Sequence, residues 1–598
     1  MAISDAAPLT VYTLTPKLAV LLKQRLGALL QYLVTTNSKT IYYKEATLLA
    51  DFREALAKIA GPPEVVESID SQVLLETFSS TLPLSGYDDY RPFISRFMEP
   101  PRYNSKVSNL FAPGLPAFVV TSSGTSGGAA KYLPKYRHPL SKLSSTIDGM
   151  KAVTPTVKHG GTHCIIFNLR YSELLDVLDD GAKEATVFKK IPLCLGSSAA
   201  FRSHYQWSAE NDEALMATKV PNNTSPLAVC FIHSYRTSLL MHALFALEDE
   251  SLELINTLFA TIFLDFVRLI EEYWEPLLQA INDGRVPDFE GAESVKHHLQ
   301  SQLKPNPRRA TKLRAIGNDS SSPGWVKRLW PRLERVLGNA SGMFGRVVPQ
   351  IKHHLGPQVP IESVGLTSSE GWIAKVYDPK RDIYKMASDD IFEYLELDRP
   401  ETKDSLSQSW EVEVGKHYEL IMTTRDGLWR YRLGDVVEIA GFDPVDGQPL
   451  IRYSERRNVS MRASGEFVTE KELQDAIQAQ DNVLGSVVEF TTVLDDRFVP
   501  RAYGFLVELQ GPPGHDASTV PERLHNYLLG ANDTYAEFFS RNVLSIPTVR
   551  ILERGAFRSY REWKTQSSPS GSGQIKVPTV IYNVDIRDWL LERVVDEV

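Results

Sequence analysis

Cysteine is scarce in this chain of 598 residues: three occur, Cys164, Cys194 and Cys230, with no short paired spacing among them. That excludes a disulfide framework and the clustered thiolates of a structural zinc site. Three reduced thiols in a cytoplasmic protein are the expectation. Long apolar runs are missing too. The most apolar stretches, 18–33 and 252–269, are interrupted by Lys23 and Arg25, and by Glu253, Asp265 and Arg268. Neither offers the roughly 20 uninterrupted apolar residues of a membrane span. Residues 1–16 carry Asp5 and lack the apolar core of a signal peptide. No membrane partner is therefore expected. A basic excess is lacking as well. Lys and Arg number 65 against 74 Asp and Glu, a net charge of −9. This argues against a nucleic-acid partner, though not against a small basic pocket for a nucleotide.

What is present is an ordinary globular composition, 43% hydrophobic and 23% charged, which excludes a disordered chain, a collagen-like repeat and a coiled-coil rod. Apolar residues at three-and-four spacing (Leu18, Leu21, Leu22, Leu26, Leu29, Leu30) predict helix in the opening ~100 residues. Residues 117–120 read as a short strand. A helical hairpin is expected over 226–246 and 251–274, the second arm on the spacing of Leu254, Leu258, Ile262, Phe266 and Leu269. The stretch 306–323, rich in Lys, Arg, Pro, Ser and Asn, reads as a loop. Three strands follow at 418–424, 428–433 and 436–440, separated by the hairpin signals Asp426-Gly427 and Gly434-Asp435. Another strand is expected at 451–453. Beyond Arg456-Arg457 the pattern alternates: helix 470–479, strands 486–492 and 502–508, helix 524–539 and strand 547–552. That is a compact α+β unit of about 130 residues. The fold class is mixed α/β, with a boundary near 457–465.

The predicted strand at 117–120 runs into Thr121-Ser-Ser-Gly-Thr-Ser-Gly-Gly128, with Lys131 beyond. Glycines let a backbone approach an anion, and hydroxyls and N–H groups donate to phosphate oxygens. No Gly-Lys-Ser/Thr triplet ends the loop, so it is not the Walker pattern. Alone, it fits a surface turn equally well. Three further segments each add one group: Leu366-Thr-Ser-Ser-Glu370 a carboxylate beside hydroxyls, Arg430-Tyr-Arg-Leu-Gly-Asp435 a carboxylate suited to a ribose diol, and Gly573-Gln-Ile-Lys-Val-Pro578 a lysine near the C-terminus.

In this order the four segments resemble the adenylate-forming superfamily and, within it, the auxin-responsive acyl-acid amido synthetases, the Gretchen Hagen family. The resemblance spans nearly the whole chain and takes in 235–274, 386–395, 531–535 and 554–557. It implies a large N-terminal adenylate-forming domain at 1–457, with sheets, helices and a β-barrel-like part. A hinge at 458–465 and a small mobile α+β C-terminal domain at 466–598 complete the implied fold. It implies ATP and Mg²⁺ as cofactors, small-molecule carboxylic acid and amino acid substrates as partners, and a monomer. In the implied reaction an acid and ATP give an acyl-adenylate and pyrophosphate, and an amine then displaces AMP. Residue by residue, Ser122, Ser123, Gly124, Thr125 and Ser126 match the phosphate loop. Thr367, Ser368 and Ser369 match the segment beside the adenine and α-phosphate, and Glu370 the carboxylate associated with Mg²⁺. Asp435 matches the ribose-binding aspartate, and Lys576 the lysine of the small domain that serves adenylation.

One departure stands out. Relatives carry a lysine after the hinge where this chain reads Gly465-Glu-Phe-Val-Thr-Glu470, with Phe467 at that place. Transfer of the acyl group to coenzyme A, and a non-catalytic binding protein, are the alternatives to amide synthesis. The intact Ser126, Glu370, Asp435 and Lys576 argue against the second. Elsewhere, His297-His298 and His353-His354 are adjacent pairs whose side chains should diverge on a helix, so a shared metal is not expected. His233 and Tyr235 read as core or pocket wall, and Trp372 as core by default, with a wall of the acyl pocket as the alternative.

Overall fold

The computed structural model describes residues 9–60, 69–122, 131–138, 160–180, 186–340, 347–457, 460–461, 463, 466, 468–567 and 575–598. Helices dominate the start of the chain, as the periodicity predicts. The first, Pro16–Asn37, begins with Thr15 as its N-cap and proline in its first turn, and buries Leu22, Leu30, Leu33 and Val34. These helices share one apolar core with two sheets. A five-stranded sheet runs, in spatial order, Arg102–Tyr103, Glu173–Leu178, Val187–Leu195, Phe118–Thr121, Tyr132–Lys135. An eight-stranded antiparallel sheet runs Leu366–Thr367, Trp372–Asp378, Ile383–Met386, Pro449–Arg456, Tyr431–Phe442, His417–Thr423, Ile391–Glu396, Leu406–Ser407. Arg430 staples the helix Ser71–Thr81 to this sheet. Its Nε and Nη2 donate to Glu393 at 2.8 and 2.7 Å, and its Nη1 to the carbonyl of Ser79 at 3.1 Å. Both side chains of that pair are 1% exposed.

The expected break at Gly434-Asp435 is not a turn. Tyr431–Phe442 is one strand, and Gly434, at φ 77°, lies inside it. Glu419 pairs with Val436 while Ile421 pairs with Arg432, so extra residues bulge out of the strand between them. A β-bulge bends a strand and re-aims a side chain, and here that side chain is Asp435.

A second core surrounds a four-stranded parallel sheet, Thr162–Ile165, Leu252–Phe259, Arg335–Asn339, Ile361–Glu362. The expected helix over 251–274 is therefore half wrong. Residues 252–259 form a strand, and helix Ala260–Glu272 follows it. This strand is buried along most of its length, Glu253, Asn256 and Thr257 included, so it lacks the polar-apolar alternation that marks a half-exposed strand. The helix Tyr235–Glu248 starts later than expected, with Ser234 as its cap. The expected loop over 306–323 is also partly wrong. Asn306 caps helix Pro307–Ile316, and the buried Arg309 donates to the carbonyls of Leu247 and Leu329 at 2.6 and 2.9 Å.

The C-terminal part has its own core, drawn from Met461 to Val580. Its sheet runs Val580–Ile581, Val487–Asp495, Ala502–Leu509, Thr548–Leu552, Val594–Glu597. The single helix expected at 524–539 is two, Val520–Ala531 and Asp533–Ser540, because Asn532 Oδ1 takes the Tyr535 N–H at 2.7 Å and starts the second. All three cysteines are buried and free. Among the described residues no helix is long and apolar enough to cross a membrane.

Candidate active site

Four sequence-distant segments meet between the two sheets and the C-terminal part. The first is Ser122, at the end of strand Phe118–Thr121. Its N–H donates to the Lys131 carbonyl at 2.9 Å, and its Oγ accepts the Lys131 N–H at 3.0 Å. The two ends of the Ser/Gly loop are thus tied together. Ser123, Gly124, Thr125 and Ser126 lie outside the described residues. Lys131 Nζ donates to the Tyr431 hydroxyl at 3.0 Å. Burial lowers its pKa, while Glu370 and Asp435 act in the opposite direction.

The second segment is the turn between strands Leu366–Thr367 and Trp372–Asp378. Ser368 Oγ accepts the N–H groups of Glu370 and Gly371 at 3.2 and 3.3 Å, and the Ser368 N–H closes the turn on the Gly371 carbonyl at 2.9 Å. A Cβ at Gly371 would lie 2.5 Å from the terminal methyl of Met422, so a side chain there would make Met422 shift. The turn holds Glu370 buried at 4% exposure, with Thr367 exposed and Ser368 and Ser369 half-buried. Lys135 Nζ grips the Glu370 carbonyl from the neighbouring sheet.

Asp435 is the third. On its bulge it faces Arg456 of the adjacent strand, its partner in register, with Arg456 Nε 3.9 Å from its carboxylate. Burial raises the Asp435 pKa. Arg456 opposes that shift, Glu370 adds to it and Lys576 opposes it. The fourth is Lys576, delivered by the C-terminal part. Burial and the nearby Arg456 pull its pKa down to about 8 against the pull of Asp435 and Glu470. Its Nζ lies 4.8 Å from the ring centre of Phe259, which ends a strand of the parallel sheet. Leu258, at φ 61°, turns the chain there.

The structure therefore brings Glu370, Asp435 and Lys576 into one crevice with the closed base of the Ser122 loop. Sequence reasoning missed Arg456 and Glu470. Arg456 stood only as a boundary marker, and its role depends on strand register. Glu470 opens helix Glu470–Gln478 and accepts from Thr579 Oγ1 at 2.6 Å, and burial raises its pKa. Phe467 lies outside the described residues. Two weaker readings change. His297 and His298 do not diverge: their ring centres are 3.8 Å apart, and both lie beside Glu213. His233 precedes its helix, and its carbonyl accepts from Arg170 at 3.1 Å. Trp372 packs against Gly365, where a Cβ would sit 2.9 Å from its ring.

A large mixed α/β part whose carboxylate-lined crevice receives a lysine from a smaller C-terminal part defines a class of enzyme rather than a scaffold. Comparison with known proteins places it further. The GH3 family N-terminal domain matches residues 27–361, the GH3 family central domain 385–456 and the GH3 family C-terminal domain 471–585. The chain belongs to the GH3 family. It is 24% identical over 579 residues to the 4-substituted benzoates-glutamate ligase GH3.12 of Arabidopsis thaliana, covering 92% of each chain. It is 27% identical over 518 residues to the jasmonoyl–L-amino acid synthetase GH3.5 of Oryza sativa subsp. japonica, covering 81% of this chain and 83% of that one. Its fold matches the GH3.15 acyl acid amido synthetase with a TM-score of 0.74 at 21% identity, covering 97% of this chain and 95% of that one.

Proposed function

We infer that the chain is an ATP-dependent acid–amino acid ligase. The supporting observation is the meeting of Lys576 with Asp435 and Glu370 in one crevice, with Lys131 at the closed base of the Ser122 loop. The donor set suits a nucleotide triphosphate with a divalent metal. Lys131, Arg456 and Lys576 supply three cations for phosphate oxygens, and Glu370, Asp435 and Glu470 three carboxylates for a metal and a diol. Ser122 to Ser126 would hold the phosphates, Thr367 to Ser369 would flank the adenine and α-phosphate, Asp435 would accept from the ribose hydroxyls, and Glu370 would hold Mg²⁺. The metal, when bound, neutralises triphosphate charge and draws electrons from the α-phosphorus.

In the first step an oxygen of the acid attacks the α-phosphorus and the bond to pyrophosphate breaks. Charge builds on the phosphoryl oxygens, and Lys576 stabilises it in a site that burial has made poor in water. In the second step the amine nitrogen attacks the acyl carbon and the bond to AMP breaks. AMP is a good leaving group, so this step needs little acid–base help. The smaller C-terminal part moves as a body between the two steps; of the hinge expected at 458–465, Asn458, Val459, Arg462, Ser464 and Gly465 lie outside the described residues. The three buried, free thiols suit a reducing compartment such as the cytoplasm.

The test is pyrophosphate release from ATP and Mg²⁺ across a panel of carboxylic acids, with amino acids and thiols omitted one at a time. Acid-dependent release that goes on to an amide supports the reading. Release that yields product only with a thiol overturns the amide assignment, and no release with any acid overturns the ligase.

A further inference from the structure

We propose that Arg561 and Asp265 are positioning residues for adenylation: their ion pair docks the C-terminal part in the orientation that holds Lys576 at the crevice. The proposal rests on the ligase reading above and deepens it by assigning the docking to particular side chains. Arg561 lies in helix Ala556–Ser567 of the smaller part, and Asp265 in helix Ala260–Glu272 of the larger. Arg561 Nε and Nη2 donate side-on to Asp265 at 2.9 and 3.2 Å, while Nη1 donates to both oxygens of Glu489 at 2.9 and 3.2 Å. The Tyr235 hydroxyl adds a bond to Asp265 at 2.9 Å. Arg561 and Asp265 are 5% and 1% exposed.

The connection to Lys576 is short on both sides. Asp265 shares a helix with Ala260, which follows Phe259, the ring beside Lys576. Glu489 lies on strand Val487–Asp495, which pairs with strand Val580–Ile581, just after Lys576. On each side the ion pair is thus one short step from the crevice: Asp265 through the helix that follows Phe259, and Glu489 through the strand paired with the segment after Lys576. More exposed pairs span the same seam: Arg236–Glu562 and Arg558–Glu272, at 3.0 and 2.9 Å.

An apolar seam can slide, because dispersion contacts are non-directional. A guanidinium that uses its whole fork on two carboxylates has one geometry. Its removal does more than loosen the seam. Asp265 of one part, buried, and Glu489 of the other, 12% exposed, would then be two carboxylates facing each other without a counter-charge, and like charges away from bulk water repel. Loss of Arg561 therefore drives the small part away from the position that adenylation needs. The second step, with the small part placed differently, does not depend on this contact.

The test uses the full chain and separates the half-reactions. Acid-dependent exchange between pyrophosphate and ATP reads the first, and amide formation from presynthesised acyl-adenylate the second. Docking is read without activity, from the distance between spin labels on cysteines introduced at the exposed Gln279 and Glu522, since the native thiols are buried. For Arg561→Met, exchange is expected to fall at least ~30-fold, amide formation to stay within about 3-fold, and the label distance to broaden. Adding Glu489→Gln should recover part of the exchange, because it removes the repulsion. Equal losses in both half-reactions, or an unchanged label distance, would overturn the proposal. A wild-type chain without exchange overturns the ligase reading, and the label distances still decide the docking. If Arg561→Met does not fold, Arg236→Ala combined with Arg558→Ala should show the same split at about 5-fold, and the absence of a split there would overturn it equally.

Discussion

Replacing Asp435 by alanine tests the nucleotide assignment most directly. In the structure its carboxylate faces Arg456 at 3.9 Å, too far for a hydrogen bond, with Lys576 and Lys131 also in its surroundings. An ion pair of this length contributes about 0–1 kcal/mol, so the fold should survive with a melting temperature nearly unchanged. ATP should be affected far more. Two charge-assisted bonds from a ribose diol contribute roughly 1.5–3 kcal/mol each and are not fully additive, and water entering the gap recovers a share. A net loss of about 2–4 kcal/mol, or ~30- to 1000-fold in Kd, is the result. The assay is calorimetric titration of ATP and of 2′-deoxy-ATP into wild-type and variant. The wild type should prefer ATP, because the deoxy analogue leaves a buried carboxylate one donor short. The variant should bind both equally. If Asp435→Ala still discriminates by the wild-type factor, the carboxylate does not touch the ribose and the reasoning fails, whatever happens to overall affinity.

Three other outcomes follow from the same geometry. Lys576→Ala should slow adenylation at least ~100-fold, since a cation aimed at developing charge in a water-poor site is worth about 3 kcal/mol, yet leave amide formation from presynthesised acyl-adenylate nearly normal; equal losses would make the lysine structural. The pH dependence has a definite sign. Lys576 is lowered from 10.5 to about 8, so it is charged below that pH and neutral above it. The kcat/KM for ATP, which reports the free enzyme, should therefore fall as pH rises through about 8, and Lys576→Arg should abolish that fall; a wild-type profile flat to about pH 10 would refute the assignment. Glu393→Gln in the buried pair with Arg430 should destabilise the chain by about 3–5 kcal/mol in denaturant unfolding, because it leaves a buried guanidinium without its counter-charge; a change under about 1 kcal/mol would show that water or a rearranged partner replaces it.

Local features were legible where the deciding atoms are close in sequence. The helix that starts at Glu470 is an example: Thr469 and Glu472 cap each other within four residues. The strand before the Ser/Gly loop stood out for the same reason. Asn532 could also have been read, because an asparagine followed by a helical run is a cap signal, and it splits what the apolar spacing alone joined into one helix.

The helical start and the order of the motifs could be read from the residues alone. That order named Ser122, Glu370, Asp435 and Lys576. Tertiary structure decided the rest. Leu252–Phe259 is a strand because parallel partners flank it on both sides, and a segment buried on every face has no periodicity to reveal which it is. Gly434-Asp435 is a bulge rather than a turn because the register of Tyr431–Phe442 against His417–Thr423 makes it one. Arg456 enters the crevice because it lies opposite Asp435 on a neighbouring strand, and Glu470 because the C-terminal part buries it beside Lys576. Charge type is written in the residue, but its pKa and its partner are set by what the fold packs against it. That is why Glu370, Asp435 and Lys576 could be named in advance, while Arg456, Glu470 and the electrostatics that couple them could not.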